Sequence, residues 1–275
     1  MNKLSRDKQA QVISALVEGN SIRATVRITG VAKNTVVKLL ADLGLACAEY
    51  QDKVFRNLPC KRIQCDEIWS FCYAKEKNVP KDKRGKFGYG DVWTFTANCA
   101  DTKLVPSWHI GRRDLGDAII FMKDLAGRLA NRVQLTTDGH RMYLDAVEGA
   151  FGADVDFSQL LKLYGQTVEG QKRYSPPQCI GTMKTKINGN PDSKKVSTSY
   201  VERQNLTMRM GMRRFTRLTN AFSKKVENLF YAVSLHFMYY NFCRVHQTLR
   251  VTPSMEARVT DHVWGIGEIL RLLNN

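Results

Sequence analysis

The sequence predicts an α/β fold, a mixed sheet with flanking helices, preceded by a small all-α head. Three observations carry this. Residues 5–44 place apolar side chains at helical spacing, residues 61–110 hold β-branched and aromatic runs between turn-forming residues, and helical and strand patterns alternate beyond them. After the head the order is three strands, a helix, a strand and further helices, which matches an RNase H-like sheet.

In the head, Val12, Ile13, Leu16 and Val17 make one apolar stripe. Ile22, Val26 and Ile28 mark a second, shorter helix, and Val36, Val37, Leu39 and Leu40 lie in a third. Gly19-Asn20-Ser21 supplies a helix stop and then an N-cap, and Thr29-Gly30-Val31 a tight turn. Two helices joined by a Gly-containing turn, the second opening on Lys33-Asn34-Thr35, read as a helix-turn-helix DNA-binding unit over residues 1–48. Lys33, Asn34, Thr35 and Lys38 are its expected DNA contacts; a three-helix packing module with solvated polar faces is the alternative. Residues 49–60 read as a linker, and 61–275 as the α/β domain with its C-terminal helices.

Within that domain, residues 61–74 read as a strand, 75–90 as a basic, Gly-containing loop, and 91–100 and 103–110 as two β-rich runs whose junction, Asp101-Thr102, suggests an antiparallel hairpin. Residues 115–129 have helical spacing behind a capping Asp114, and the strand 133–137 runs straight into Asp138-Gly139. Residues 221–243 are apolar on nearly all sides and read as a long buried helix, in which His236 is expected to pack or hydrogen-bond. Arg244, His246 and Arg250 follow in a basic turn that could touch DNA or be a solvated edge. Residues 263–273 read as a short amphipathic helix that caps the domain or meets a partner.

The charge balance points to a polyanion: 42 Lys and Arg against 26 Asp and Glu give a net charge of +16. Clustered cations attract phosphates and release their counterions, so nucleic acid is the leading partner. A membrane is set aside because no apolar run approaches the roughly 18 residues that a span needs. The first residues lack the apolar core of a signal peptide, so a cytoplasmic location is expected, on the nucleoid when DNA is bound. Seven scattered cysteines with no Cys-x-x-Cys pair suggest reduced, mostly buried thiols.

Three acids stand out. Asp66 sits inside the first strand among apolar residues, where an ionised carboxylate is costly unless paired or bound to metal. Its neighbour Glu67 alternates to the opposite face and reads as a solvated or paired acid. Asp138 closes a strand beside a glycine, and Glu202 shares a helix stripe with Asn205 and Arg209. Singly, each has an ordinary reading: an edge-strand ion pair, a turn former, a salt-bridged helix face. Together they suit phosphodiester chemistry, which needs about three carboxylates holding two hard divalent cations in a basic groove.

The ordered set CDEIW at 65–69, TTDG at 136–139 and YVERQNLTMR at 200–209, followed by NFCRVHQTLRVTPSMEA at 241–257, resembles DDE-type insertion-sequence transposases. More widely it is similar to the retroviral-integrase-like superfamily, and its nearest likeness is to the family of insertion sequence one. The resemblance covers about residues 61–257. It implies a catalytic, metal-holding triad of Asp66, Asp138 and Glu202, two Mg²⁺ or Mn²⁺ ions, and Asn205, Arg209 and Arg213 directed at DNA. It further implies partners in double-stranded DNA, as terminal inverted repeats and target, and a homodimer or higher oligomer. The sequence departs from the family's pattern where Lys195 and Thr198 stand at positions that many members fill with Tyr and Arg, and where Asp138 and Glu202 are separated by an insertion over 152–198, part of which reads as a basic loop or hairpin. Two other readings stay open: a helix-turn-helix regulator with a silent body, and an RNase H-like nuclease that cuts without joining.

Overall fold

A computed structural model describes residues 4–165, 178–216 and 220–274. Three helices open the chain: α1 (Arg6–Val17), α2 (Ile22–Thr29) and α3 (Lys33–Val54). Ser5 and Ser21 cap the first two through side-chain oxygens that accept from Lys8 N and Ala24 N. Gly30 ends α2 in the left-handed region at φ 70°, which a glycine adopts without strain. The second stripe differs from the expected one: Ile28 is exposed, and Thr25 and Thr29 face inward beside Ile22 and Val26.

The expected linker over 49–60 is not one. Helix α3 continues to Val54 because Leu40, Leu43, Gly44, Cys47 and Gln51 keep one buried stripe at three- and four-residue steps. Beyond it Phe55 stacks on Phe242, and Leu58 donates its N–H to the Arg128 carbonyl at 2.9 Å. The head and the body therefore share one apolar core, from Val12 to Leu270.

The body holds β1 (Arg62–Cys72), β2 (Gly90–Cys99), β3 (Trp108–Gly111), α4 (Leu115–Ala126), β4 (Val133–Asp138), α5 (Met142–Phe151), β5 (Val155–Tyr164), β6 (Cys179–Asn188), α6 (Ser199–Gly211), α7 (Val226–Phe242), α8 (Pro253–Glu256) and α9 (Ile266–Arg271). Six strands form one sheet in the order β3-β2-β1-β4-β5-β6. β2 runs antiparallel to β1 and β3, β4 runs parallel to β1 and β5, and β6 returns antiparallel to β5. This is a mixed α/β sheet flanked by helices, compatible with the expected order. Asp114 caps α4 as expected, accepting from Asp117 N at 3.0 Å.

The insertion is partly β. β5 extends beyond β4, and β6, with nearly every side chain exposed, pairs with it from Phe157 to Tyr164. Residues 166–177 of the insertion lie outside the described ones. In the tail α7 is buried as expected, with His236 inside it, and α9 packs Ile269 and Leu270 into the core. Burial, and then the charge of Arg244, hold the His236 imidazole down at about 4. The described cysteines are free thiols, five of them buried. None of the described helices is long and apolar enough to cross a membrane.

The seam between head and body is α3 against α7. Ser234 Oγ donates to the Gly44 carbonyl at 2.7 Å, and Gln51 Nε2 to the Ser234 carbonyl at 3.2 Å. A Cβ on Gly44 would stand 2.6 Å from Tyr231 Cα. Gly44→Ala gains about 1 kcal/mol of helix propensity, yet it forces two backbones apart, at a cost of about 1–3 kcal/mol or more. Urea unfolding should show a net loss of stability for Gly44→Ala, with no gain from the better helix former.

Candidate functional site

The site is assembled where β4 stops. β1 runs on to Cys72, but its register with β4 ends at Cys65 against Thr137. Side chains from both faces of β1 can therefore reach round the end of β4 to Asp138. One carboxylate oxygen each from Asp66, Glu67 and Asp138 lies within 4.8 Å of the other two. The expected triad is thus met in two of its members, with Glu67 beside them.

Asp66 accepts from the Glu67 N–H at 2.9 Å and from Asn205 Nδ2 at 2.8 Å. Burial, then the charges of Glu67 and Asp138, push its carboxyl up to about 7; the Glu67 N–H opposes this, and Glu202 adds a smaller push. Glu67 is paired, as one of its two expected readings had it, but it is not solvated. Its side chain is wholly buried, accepting from Arg113 Nε at 2.5 Å and from Tyr143 Oη at 2.7 Å. Burial and Asp138 raise its pKa, against the lowering effect of Tyr143 and Arg113. Arg113 also lies 3.8 Å from Asp138 and over the Trp93 ring at 4.6 Å, so one guanidinium serves two acids and an aromatic face. Asp138 accepts from the His140 N–H at 3.1 Å, and His140 in turn stands just before α5.

Helix α6 covers the site from above β1. Gln64, buried on β1 two residues before Asp66, accepts at Oε1 from the N–H groups of Tyr200 and Val201 at 2.8 and 3.2 Å. Two of the four amides that a helix start leaves unpaired are thereby satisfied by a strand side chain. The helix is fixed so that Asn205 meets Asp66, and Asn205 Oδ1 is buried with no partner. Glu202 lies in the first turn, near enough for its charge to act on Asp66, but its carboxylate is outside the group of three. It is held by Lys162 of β5 and by the Thr198 hydroxyl at 2.6 Å.

The other expected contacts fall into two places. Arg209 lies in the last turn of α6, and Arg213 is exposed in the short turn that follows. Lys33, Asn34, Thr35 and Lys38 are all exposed on the first turns of α3, with Lys38 paired to Asp42 at 2.5 Å. Sequence reasoning missed Gln64, Arg113, Tyr143 and Lys162, each of which acts by a contact far away in the chain. Gln64 had one local signal, a polar residue on the same strand face as Asp66.

The donor set suits a hard divalent cation: three clustered carboxylates and an orphaned amide oxygen one hydrogen bond from Asp66. No protein-family model matches the chain, and no curated protein matches it.

Removing Arg113 leaves Glu67 buried without its cation. Arg113→Met should lower the unfolding free energy on the order of 3 kcal/mol near pH 8. Because Glu67's pKa is already raised in the folded protein, its charged form opposes folding as pH rises through that pKa. The loss should therefore shrink as pH falls towards 5, and Glu67→Gln in the same chain should recover much of it. Urea unfolding at the two pH values measures both effects.

Proposed function

We propose that this protein is a DDE-type transposase, which binds the ends of an insertion element and carries out metal-dependent DNA cleavage and strand transfer. The observation that carries the reading is the convergence of Asp66 on central β1, Asp138 at the end of adjacent β4, and α6 with Glu202 and Asn205 on one rim of a mixed sheet. An RNase H-like catalytic core would deliver its acids in this way. The net charge of +16 supports a polyanionic substrate.

Asp66 and Asp138 would hold two Mg²⁺ or Mn²⁺ ions, with Glu202 as the third acid once it leaves Lys162. Bound there, such ions lower the pKa of water or a 3′-hydroxyl and stabilise the departing oxygen. The chain's own groups position: Asn205 holds Asp66, Arg113 and Tyr143 hold Glu67, and Lys162 keeps Glu202 aside. Arg209 and Arg213 would lie along the DNA. In the head, α2 and α3 with their Gly30 turn support a helix-turn-helix unit, whose exposed Lys33, Asn34, Thr35 and Lys38 would meet the terminal repeats, with two or more copies on one DNA complex.

Oligonucleotides carrying the element's terminal inverted repeats test this. The purified protein should cut and join them with Mg²⁺ or Mn²⁺ and not in EDTA; Asp66→Asn, Asp138→Asn and Glu202→Gln should abolish both steps and keep end binding. Joining by Glu202→Gln at the wild-type rate, with Glu67→Gln inactive, would move the third-acid role to Glu67. Cutting without joining would make the protein a nuclease, and binding with no metal-dependent cutting would make it a regulator.

Lys162 gives a separate readout. Lys162→Ala frees Glu202 from the one cation paired with it among the described residues, so it should tighten Mn²⁺ binding several-fold in calorimetry without DNA; weaker or equal binding would show that the pair does not hold Glu202 back.

A further inference from the structure

We propose that the flank of α6 turned away from the carboxylates forms a second binding site, a groove that takes the phosphate and base of an unpaired nucleotide in a DNA strand. It goes beyond the metal chemistry and does not rest on it. Helix α6 has three faces: Val201, Asn205 and Met208 lie buried, Glu202 and Asn205 look to the site, and Tyr200, Arg203 and Thr207 lie on the other flank. That flank, Tyr240 of α7 and the turn at 244–248 enclose a cavity of about 510 Å³. This is within the range of about 300–1,000 Å³ that small-ligand sites occupy.

The lining is cationic. Lys103, Arg203, Arg244 and His246 converge there, and no lining residue is acidic. Arg203 and Arg244 are exposed and form no ion pair among the described residues. Burial, then the charges of Lys103, Arg244 and Arg203, lower the His246 pKa. Lys103 is held at φ 62°, a strained conformation for a lysine. It is kept there by its N–H to the Cys99 carbonyl at 2.8 Å and by Tyr240 Oη and Asn98 Nδ2 donating to its own carbonyl at 3.0 and 3.3 Å. Its ammonium donates to the Ala100 carbonyl and sits 3.5 Å from the centre of the Tyr200 ring, at the cavity wall.

Phosphate alone would need only the cations. The wall also holds two nearly fully buried amides with unpaired atoms, a donor at Gln204 Nε2 and an acceptor at Asn98 Oδ1. A donor and an acceptor among the lining residues suit the edge of a base, and buried orphans of this kind are uncommon. A strand is favoured over a free nucleotide because the groove continues. A further cavity of about 280 Å³ shares Arg203, Thr207, Tyr240 and Arg244 with the first. Glu18 also lines this second cavity, and its carboxylate accepts from Tyr239 Oη at 3.0 Å.

Fluorescence anisotropy on the full chain, in EDTA and at one fixed salt concentration, tests the site without catalysis. The probes are a labelled blunt duplex and the same duplex with a short unpaired tail, with deoxyadenosine monophosphate as competitor. Arg203→Ala combined with Arg244→Ala should weaken tailed DNA about tenfold or more and blunt DNA far less. Thr207→Trp, which fills the groove without changing charge, should do the same, with circular dichroism checking both folds. Competition by the mononucleotide would name a free nucleotide as the natural occupant; its absence would name the strand. Equal weakening of blunt and tailed DNA, or unchanged binding in both variants, would overturn the proposal.

Discussion

The arrangement depends on Gln64. This buried side chain on β1 takes the Tyr200 and Val201 amides of α6, and together with the buried Val201 and Met208 those two hydrogen bonds fix how the helix sits on the sheet. Helix starts are usually capped from within the preceding few residues; here Thr198 provides no side-chain cap, Ser197 Oγ accepts from the Ser199 N–H at 3.1 Å, and the sheet supplies the acceptor for the next two amides. The consequence is a fixed rotation of α6 about its axis. Asn205 faces Asp66, Glu202 stays at the rim, and the cations of the far flank are turned away from the acids.

That separation of charge is energetically necessary. Two like charges 4–5 Å apart repel by about 4 kcal/mol at the effective dielectric of a protein. Asp66, Glu67 and Asp138 are all within that range, and two of them are largely buried. Arg113 offsets one charge by direct contact with Glu67, and the carboxyls of Asp66 and Glu67 are both raised, by burial first and then by this crowding. A proton or a divalent cation can relieve it. The same crowding fits Glu202 standing off with Lys162: a fourth carboxylate would add repulsion to a group whose one paired cation, among the described residues, is Arg113.

Much of the sheet was legible in the sequence, because β1, β2 and β4 are buried and their apolar runs say so. β5 was not read as a strand, and β6 only as part of a basic loop or hairpin. β6, at CIGTMKTKIN, is solvated on both faces, so it has no inward side to print an alternation, and β5 needs that partner to be complete. The boundary at 49 failed for the opposite reason. Cys47, Gln51 and Phe55 continue the helical stripe into the body, but the change to polar composition masked a spacing that was present. Asp66 and Asp138 were legible because an acid in or at the end of a buried strand is conspicuous. Glu67 was not, since strand alternation alone puts it on the far face; its place in the cluster follows from β4 stopping short of it.

The length of α3 then fixes how the two ends of the molecule work together. Twenty-two residues make a rod of about 33 Å. Its exposed first turns carry Lys33, Asn34, Thr35 and Lys38, while its middle is locked to α7 through Gly44, Gln51 and Ser234. A flexible linker would let the head search for DNA independently of the carboxylates. A continuous helix forbids this: on the proposed reading, a duplex seated on the start of α3 enters the site at one offset and one angle. Any change in that offset has to come from bending the duplex or from a second subunit, because the seam from Gly44 to Ser234 has no slack in which to move.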